Sequence, residues 1–304
     1  MKQIKYLFAA WLILISQASA FAQLSTRQDE KTQLYGLVDA DDKYVVKPIY
    51  KEVDFNFGRT EGLSKVEGAN NKYGLINPKG KEVVPCKYDN LSDFINGYAI
   101  AEVKTSNLES KYALLDSTGR EAIPLKYGHL EYYPDDMVLV AGETNASNVG
   151  LISVSGKVLI PFQYEFWAKK ISKGLWPVAK NNVCGVVNLK NETIVPFEYE
   201  MIESYSDALG LAPAKKDKNG KYGFIDRKGK VVIPFNYADA WPSGKYLAVK
   251  KDGKWGVIDA AAKTILPFEY ASITSIGAST AWVKKTDNED DYEIDLATQQ
   301  KVKK

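Results

Sequence analysis

The sequence predicts an all-β fold made of tandem, short antiparallel units, and three observations predict it. An aromatic-Gly pair followed by two apolar residues and Asp or Asn recurs seven times, with its glycine slot at 36, 74, 113, 150, 185, 223 and 256. Those slots lie 33–39 residues apart, and self-similarity at such a period marks a repeat architecture. Apolar residues come in adjacent pairs, and beyond residue 22 no stretch keeps the three-to-four spacing of an amphipathic helix.

Each unit reads as a series of short elements. The pair after glycine, such as Leu75-Ile76, begins a first strand, and the Asp or Asn that follows opens a turn by bonding its own backbone. Three residues later stand Gly80, Gly119, Gly156 or Gly229, with Asn191 and Asp42 in two other units, all types that tolerate positive φ. This is a hairpin closed by a left-handed residue. A second apolar pair follows, as in Val83-Val84 and Val232-Ile233, and then Pro85, Pro124, Pro161, Pro196, Pro234 or Pro267, with Lys47 in the first unit. Proline lacks a donor, so it is expected to end this strand or to sit at a sheet edge. Three residues past the proline slot stands Tyr50, Tyr88, Tyr127, Tyr164, Tyr199, Tyr237 or Tyr270. A third strand comes later, as in Tyr98–Ala101, Val138–Val140 and Tyr246–Val249.

Adjacent apolar residues on one strand point to opposite faces, so each strand needs cover on both sides. A lone three-stranded unit cannot supply that, and stacking of neighbours does. Units start near 35, 73, 112, 149, 184, 222 and 255 within a repeat domain spanning 35–304, after a linker of 23–34. Tyr292-Glu293-Ile294-Asp295-Leu296 begins a degenerate, charged copy near 291, which suits the polar end cap of an open, solenoid-like stack. A closed seven-bladed, propeller-like ring is the alternative.

Residues 1–22 read as a signal peptide: Lys2 and Lys5, an uncharged apolar run from Leu7 to Ile15, then small residues that allow cleavage after Ala20 or Ala22. The run is short for a stable membrane span. The expected product is exported to the periplasm or beyond. This segment holds two lysines and no acid, so Lys+Arg falls from 40 to 38 against 38 Asp+Glu, and the mature chain is formally neutral. Neutrality excludes a general nucleic-acid binder, which needs a basic footprint. One histidine and two cysteines leave little for a zinc site or a histidine-based catalytic centre. No cofactor or metal site is expected.

Lys254-Trp255-Gly256-Val257-Ile258-Asp259 with Pro267-Phe268-Glu269-Tyr270, and Lys221 to Asp226 with Pro234-Phe235-Asn236-Tyr237, resemble the WG (or KWG) repeat family. The resemblance covers about 35–304 and implies an interaction or structural repeat with no shared catalytic residue. The third, fourth and fifth units depart most, with Ala113 in the glycine slot and Val149 and Cys184 in the aromatic slot.

The structural positions are thus Gly36, Gly74, Gly150, Gly185, Gly223 and Gly256 with the seven in-register tyrosines. Those tyrosines are expected to pack between units and bond a neighbouring backbone; an aromatic ladder for sugar rings or a peptide is the alternative. Trp255 occupies the repeat's own aromatic slot. Trp167, Trp176, Trp241 and Trp282 do not, and they are the candidate contacts for an envelope or extracellular protein or glycan. His129 reads as a surface or loop residue, Cys86 and Cys184 as unpaired buried fillers, and the acidic run 287–291 as a solvated loop. The expected function is a non-catalytic binding or scaffold module. A hydrolase of glycan or peptidoglycan needs two carboxylates about 5–9 Å apart in a cleft, and a pure spacer needs no exposed aromatic.

Overall fold

A computed structural model describes residues 24–55, 62–106, 109–144, 148–165 and 169–302. Met1–Ala22 and Trp167 lie outside them. Every regular element among the described residues is a β-strand. No helix there is long and apolar enough to cross a membrane.

The strands form seven antiparallel meanders in which chain order is sheet order. The first holds β1 (Ser25–Gln28), β2 (Tyr35–Val38), β3 (Tyr44–Asp54), β4 (Ser64–Gly68), β5 (Tyr73–Ile76) and β6 (Glu82–Tyr88). The second holds β7 (Asn90–Leu91), β8 (Tyr98–Lys104), β9 (Ser110–Asp116) and β10 (Glu121–Tyr127). The third holds β11 (His129–Tyr133), β12 (Val138–Gly142), β13 (Val149–Ser153) and β14 (Val158–Tyr164). The fourth holds β15 (Leu175–Lys180), β16 (Val183–Asn188) and β17 (Thr193–Tyr199). The fifth holds β18 (Met201–Ile202), β19 (Leu211–Lys215), β20 (Tyr222–Asp226) and β21 (Val231–Tyr237). The sixth holds β22 (Asp239–Ser243), β23 (Tyr246–Lys251), β24 (Lys254–Ile258) and β25 (Thr264–Tyr270). The seventh holds β26 (Ser272–Ile276), β27 (Thr280–Lys284) and β28 (Tyr292–Asp295). Ser25–Gln28, inside the segment read as a linker, is a strand because it completes the edge of β2, Ser25 opposite Val38.

The described residues group into two compact units, those within Met1–Asn145 with Ile152–Lys157 and those within Ala146–Leu151 with Val158–Lys304. In the first, Leu75 packs with Tyr88, Leu91, Ala99, Ala113 and Leu115, while the adjacent Ile76 packs with Leu37, Tyr50 and Val66. In the second, Phe224 joins Ile233, Leu247, Val249 and Ile258, whereas Ile225 joins Val186, Val195, Tyr199 and Ala212. Val257 and Ile258 divide in the same way. Neighbouring residues on one strand thus enter different cores, as the apolar pairs required. Each such burial contributes about 1.5–3 kcal/mol.

Sheet and sequence repeat are out of phase. The third strand of one repeat, β8 for instance, pairs with the first strand of the next, β9. A further short strand follows the in-register tyrosine and starts the next sheet, as β7 and β22 do. The repeat is therefore not a self-contained three-stranded unit. It lends its last strands to its successor.

Register explains the motif. The aromatic slot lies directly opposite the tyrosine in six of the units, Tyr35 with Tyr50, Tyr73 with Tyr88, Tyr112 with Tyr127, Cys184 with Tyr199, Tyr222 with Tyr237 and Trp255 with Tyr270. Between Tyr73/Tyr88 and Leu75/Val84 one strand advances two residues and its partner four. This bulge brings the Val84 carbonyl within 2.5 Å of where a Gly74 Cβ would stand. Glycine is thus required by close backbone approach. Pro85 sits inside the bulge, in the middle of β6 rather than at its end. It does not end the strand, but β6 is the last strand of its sheet, so the edge placement expected of a residue without a donor holds, within a bulge that itself removes the need for a ladder donor.

The hairpin turns agree with the reading. Asp259 Oδ1 accepts from the amides of Ala261 and Lys263 at 2.9 Å each, and Asp39, Asn77, Asp116, Asn188 and Asp226 accept in the same way. The closing residue has positive φ in all seven, including Ala262 at 62°.

Candidate functional site

The seven in-register tyrosines are buried, 0–9% exposed, and offer no ladder to a ligand. Tyr164, Tyr199 and Tyr237 lie 6.1–6.5 Å from the rings of Phe197, Phe235 and Phe268 in the following repeat. Those phenylalanine rings in turn cover Gly185, Gly223 and Gly256, where a Cβ would approach them to about 2.9 Å. Glycine, phenylalanine and tyrosine therefore form one inter-repeat contact. Two of the hydroxyls bond side chains rather than the expected backbone: Tyr88 donates to Glu121 Oε1 at 2.7 Å and Tyr164 to Asn191 Oδ1 at 2.7 Å. Burial pushes the phenols of Tyr50 and Tyr270 up to about 12. It also raises Tyr88, helped by the Glu121 carboxylate. Burial opposes charge on Glu121, yet hydrogen bonds from Lys87 and Tyr88 outweigh it and hold that carboxyl below its ordinary value.

The three off-slot tryptophans among the described residues occupy three different sheets. Trp176, on β15, is fully buried and meets Tyr164 edge-on at 5.5 Å, so it is a core residue. Its burial corrects the expectation of a surface contact: Pro177, Val178 and Ala179 beside it are as buried as the neighbouring strand, and the wide ring fills that layer. Its indole Nε1 has no hydrogen-bond partner. Trp282, on β27, is 37% exposed beside Ser275 and Glu293. Trp241, on β22, is half-buried and lines an open groove of about 420 Å³.

This groove lies in the second unit, between the fifth and sixth sheets. The chain after β18 supplies Glu203, Ser204, Tyr205 and Ser206; β19 and β20 supply Pro213 and Tyr222; β22 supplies Asp239, Ala240, Trp241 and Pro242. Trp241 rests on the cluster of Ala248, Val257, Leu266 and Tyr270, which fixes its ring. Glu203 is paired with Lys169 at 2.9 Å. Asp239 is exposed and uses Oδ1 to accept from the Ala240 amide at 2.8 Å. Burial raises the Tyr222 phenol, and the carboxylates of Glu203 and Asp239 raise it further. The Lys215 ammonium lies 5.5 Å from the centre of the Tyr222 ring.

Behind the groove, Arg227 spans three repeats. It lies 5.3 Å from the Tyr205 ring and donates to Ser172 O at 2.8 Å and Ser172 Oγ at 2.9 Å. The buried Ser172 hydroxyl donates to Asp207 at 2.6 Å. This network anchors the 203–210 segment that forms one wall.

Of the groove's residues the sequence singled out Trp241 alone. Glu203, Tyr205 and Asp239 were missed because all three fall in the stretch of variable length after the in-register tyrosine. The available signal was Tyr205, an aromatic outside both recurring slots.

His129 stands on β11, half-buried rather than in a loop, and burial lowers its pKa. Both cysteines are free, Cys184 buried and Cys86 half-buried. Residues 287–291 are exposed. Among the described residues no group of three or more His, Cys, Asp or Glu is placed to hold a metal ion.

A family model described as a WG containing repeat matches residues 35–73, 73–104, 150–184, 185–221, 222–255 and 255–288. The stretch it passes over includes Ala113, in keeping with the departure of the third unit. No curated protein sequence matches. Among solved structures the chain is similar to a eukaryotic initiation factor at 13% identity, covering 92% of this chain and 84% of that one, with TM-score 0.49. It is also similar to apo AztD from Citrobacter koseri at 9% identity, covering 89% and 90%, with TM-score 0.40. A third is Hsv2p of Kluyveromyces lactis at 12% identity, covering 78% and 89%, with TM-score 0.40.

Proposed function

This chain belongs to the WG-repeat family, and we propose that it acts as an exported, non-catalytic binding module of the cell envelope. The groove beside Trp241 carries this reading. Its 420 Å³ falls within the roughly 300–1,000 Å³ range of ligand pockets, and it joins aromatic surface to a few polar groups. A pure spacer has no use for a half-exposed Trp241 or for Trp282 on its surface. Export rests on Lys2, Lys5 and the apolar run before Ala20 and Ala22.

Two observations favour binding over hydrolysis. The Asp and Asn of the repeats are engaged in turn hydrogen bonds. Glu203 is committed to Lys169 and Asp239 is exposed, whereas a general acid keeps its proton in apolar surroundings.

The test is capture of identified envelope proteins and glycans by the purified chain, with Trp241→Ala as the comparison. Loss of a defined ligand on that change supports the reading. Ligand capture unaffected by it, or turnover of a glycan that Glu203→Gln abolishes, overturns it. Removing residues 1–22 is expected to leave the chain in the cytoplasm; unchanged export would sink the localisation.

A further inference from the structure

We propose that the groove is a subsite for a neutral sugar ring, which stacks on Trp241 while Asp239, Glu203 and the hydroxyls of Ser204 and Ser206 meet its hydroxyl groups. This rests on the reading of the groove as a binding site and names the ligand class.

The charges already present exclude the other classes. A cationic ligand would compete with cations that already sit on groove residues, Lys215 at Tyr222, Arg227 at Tyr205 and Lys169 on Glu203. An anionic ligand would face Glu203 and Asp239, both close enough to Tyr222 to raise its phenol pKa. An apolar peptide would strip water from the second oxygens of two carboxylates and from two hydroxyl hydrogens and leave that capacity unused, which costs about 1–3 kcal/mol for each. A neutral polyol matches what remains.

The hydrogen-bonding inventory points the same way. Ser204 Oγ accepts from the Lys170 amide at 3.1 Å and Ser206 Oγ from the Leu209 amide at 3.3 Å. Each hydroxyl then has a hydrogen to donate. Asp239 has a second oxygen beyond the one bonded to Ala240, and Glu203 has Oε1 beyond the Oε2 held by Lys169. Donors and acceptors side by side suit a ligand whose hydroxyls do both. Trp241, Pro213, Ala240 and Pro242 offer the apolar surface that the C–H face of a pyranose needs.

The purified chain is titrated with a panel of neutral hexasaccharides (chitohexaose, cellohexaose, maltohexaose and mannohexaose) by calorimetry and tryptophan fluorescence. At least one is expected to bind, with affinity unchanged between 0.05 and 1 M NaCl as expected of an uncharged ligand. Trp241→Ala is expected to weaken it at least tenfold and Asp239→Asn at least fivefold, while Trp241→Phe retains most of it. The phenylalanine variant separates loss of stacking from loss of folding. No binding across the panel, or binding indifferent to Trp241→Ala and Asp239→Asn, overturns the proposal. Salt-sensitive binding of a charged peptide that Trp241→Ala abolishes overturns the sugar assignment and leaves the groove as a binding site. Binding of protein partners untouched by Trp241→Ala removes both.

Discussion

Ala262 should be a weak point that glycine repairs. It holds φ at 62° in a turn whose other six copies use Gly80, Gly119, Gly156, Gly229, Asp42 and Asn191. The Asp259 turn around it is otherwise complete, with Asp259 N donating to Lys263 O and Ala262 N to Asp259 O, both at 3.0 Å. An L-residue with a Cβ in this conformation costs about 1–2 kcal/mol. Glycine removes that strain but gives back about 0.4–1 kcal/mol through the freer unfolded chain. Ala262 is exposed, so no packing is lost. Ala262→Gly is therefore expected to stabilise by about 0.5–1 kcal/mol, a rise in Tm of about 2 °C at this size. The reciprocal change is Gly156→Ala, where φ is 80° and a new Cβ would meet nothing nearer than Ile123 Cγ1 at 3.7 Å. It should destabilise by about 1 kcal/mol. Urea unfolding followed by circular dichroism measures both, with the slope m unchanged. A lower midpoint for Ala262→Gly, or an unmoved one for Gly156→Ala, would show that backbone strain does not govern these turns.

Three further outcomes are expected. Trp176→Ala should cost about 3–5 kcal/mol by leaving a cavity, whereas Trp282→Ala should stay within about 0.5 kcal/mol; equal thermal shifts would refute the division between them. The phenols of Tyr50 and Tyr270 are raised to about 12, so the stability they contribute is complete below pH 10 and is lost as pH rises through about 12. Tyrosinate absorbance and loss of β signal should then rise together, and tyrosinate formed in a still-folded chain would contradict this. His129 is held below its ordinary pKa of 6.5 by burial, so it contributes stability above that pH that is lost as pH falls through the lowered folded value. His129→Gln should flatten the stability profile between pH 7 and 5, and an unchanged profile would assign the effect to other groups.

The local grammar of the repeat was legible because each slot has a single physical job. Gly74 answers a carbonyl 2.5 Å from its missing Cβ, Asn77 a turn, and Leu75 and Ile76 two separate cores. The phase of the sheets was not legible. Asn90-Leu91 and Met201-Ile202 are strands of two residues, too short to show a period of two. Pro85 stands on an edge strand as expected, but its place inside a bulge was not legible, because a bulge is a property of register and not of composition. The groove was hidden for a different reason. Glu203 and Asp239 are ordinary surface acids in the sequence, and they meet only because consecutive repeats place them on facing sheets.

The handing of last strands from one repeat to the next also governs how such a chain can grow or be cut. A duplicated copy of one repeat would arrive with its final strands already committed to the copy behind it, so it joins as a clasped link and not as a loose bead. Conversely, a truncation at an aromatic-glycine boundary strands two orphan β-segments on one fragment and strips them from the other. The natural place to divide the molecule is just after an in-register tyrosine, between Tyr237 and Asp239 for example, where one sheet is finished and the next has not begun.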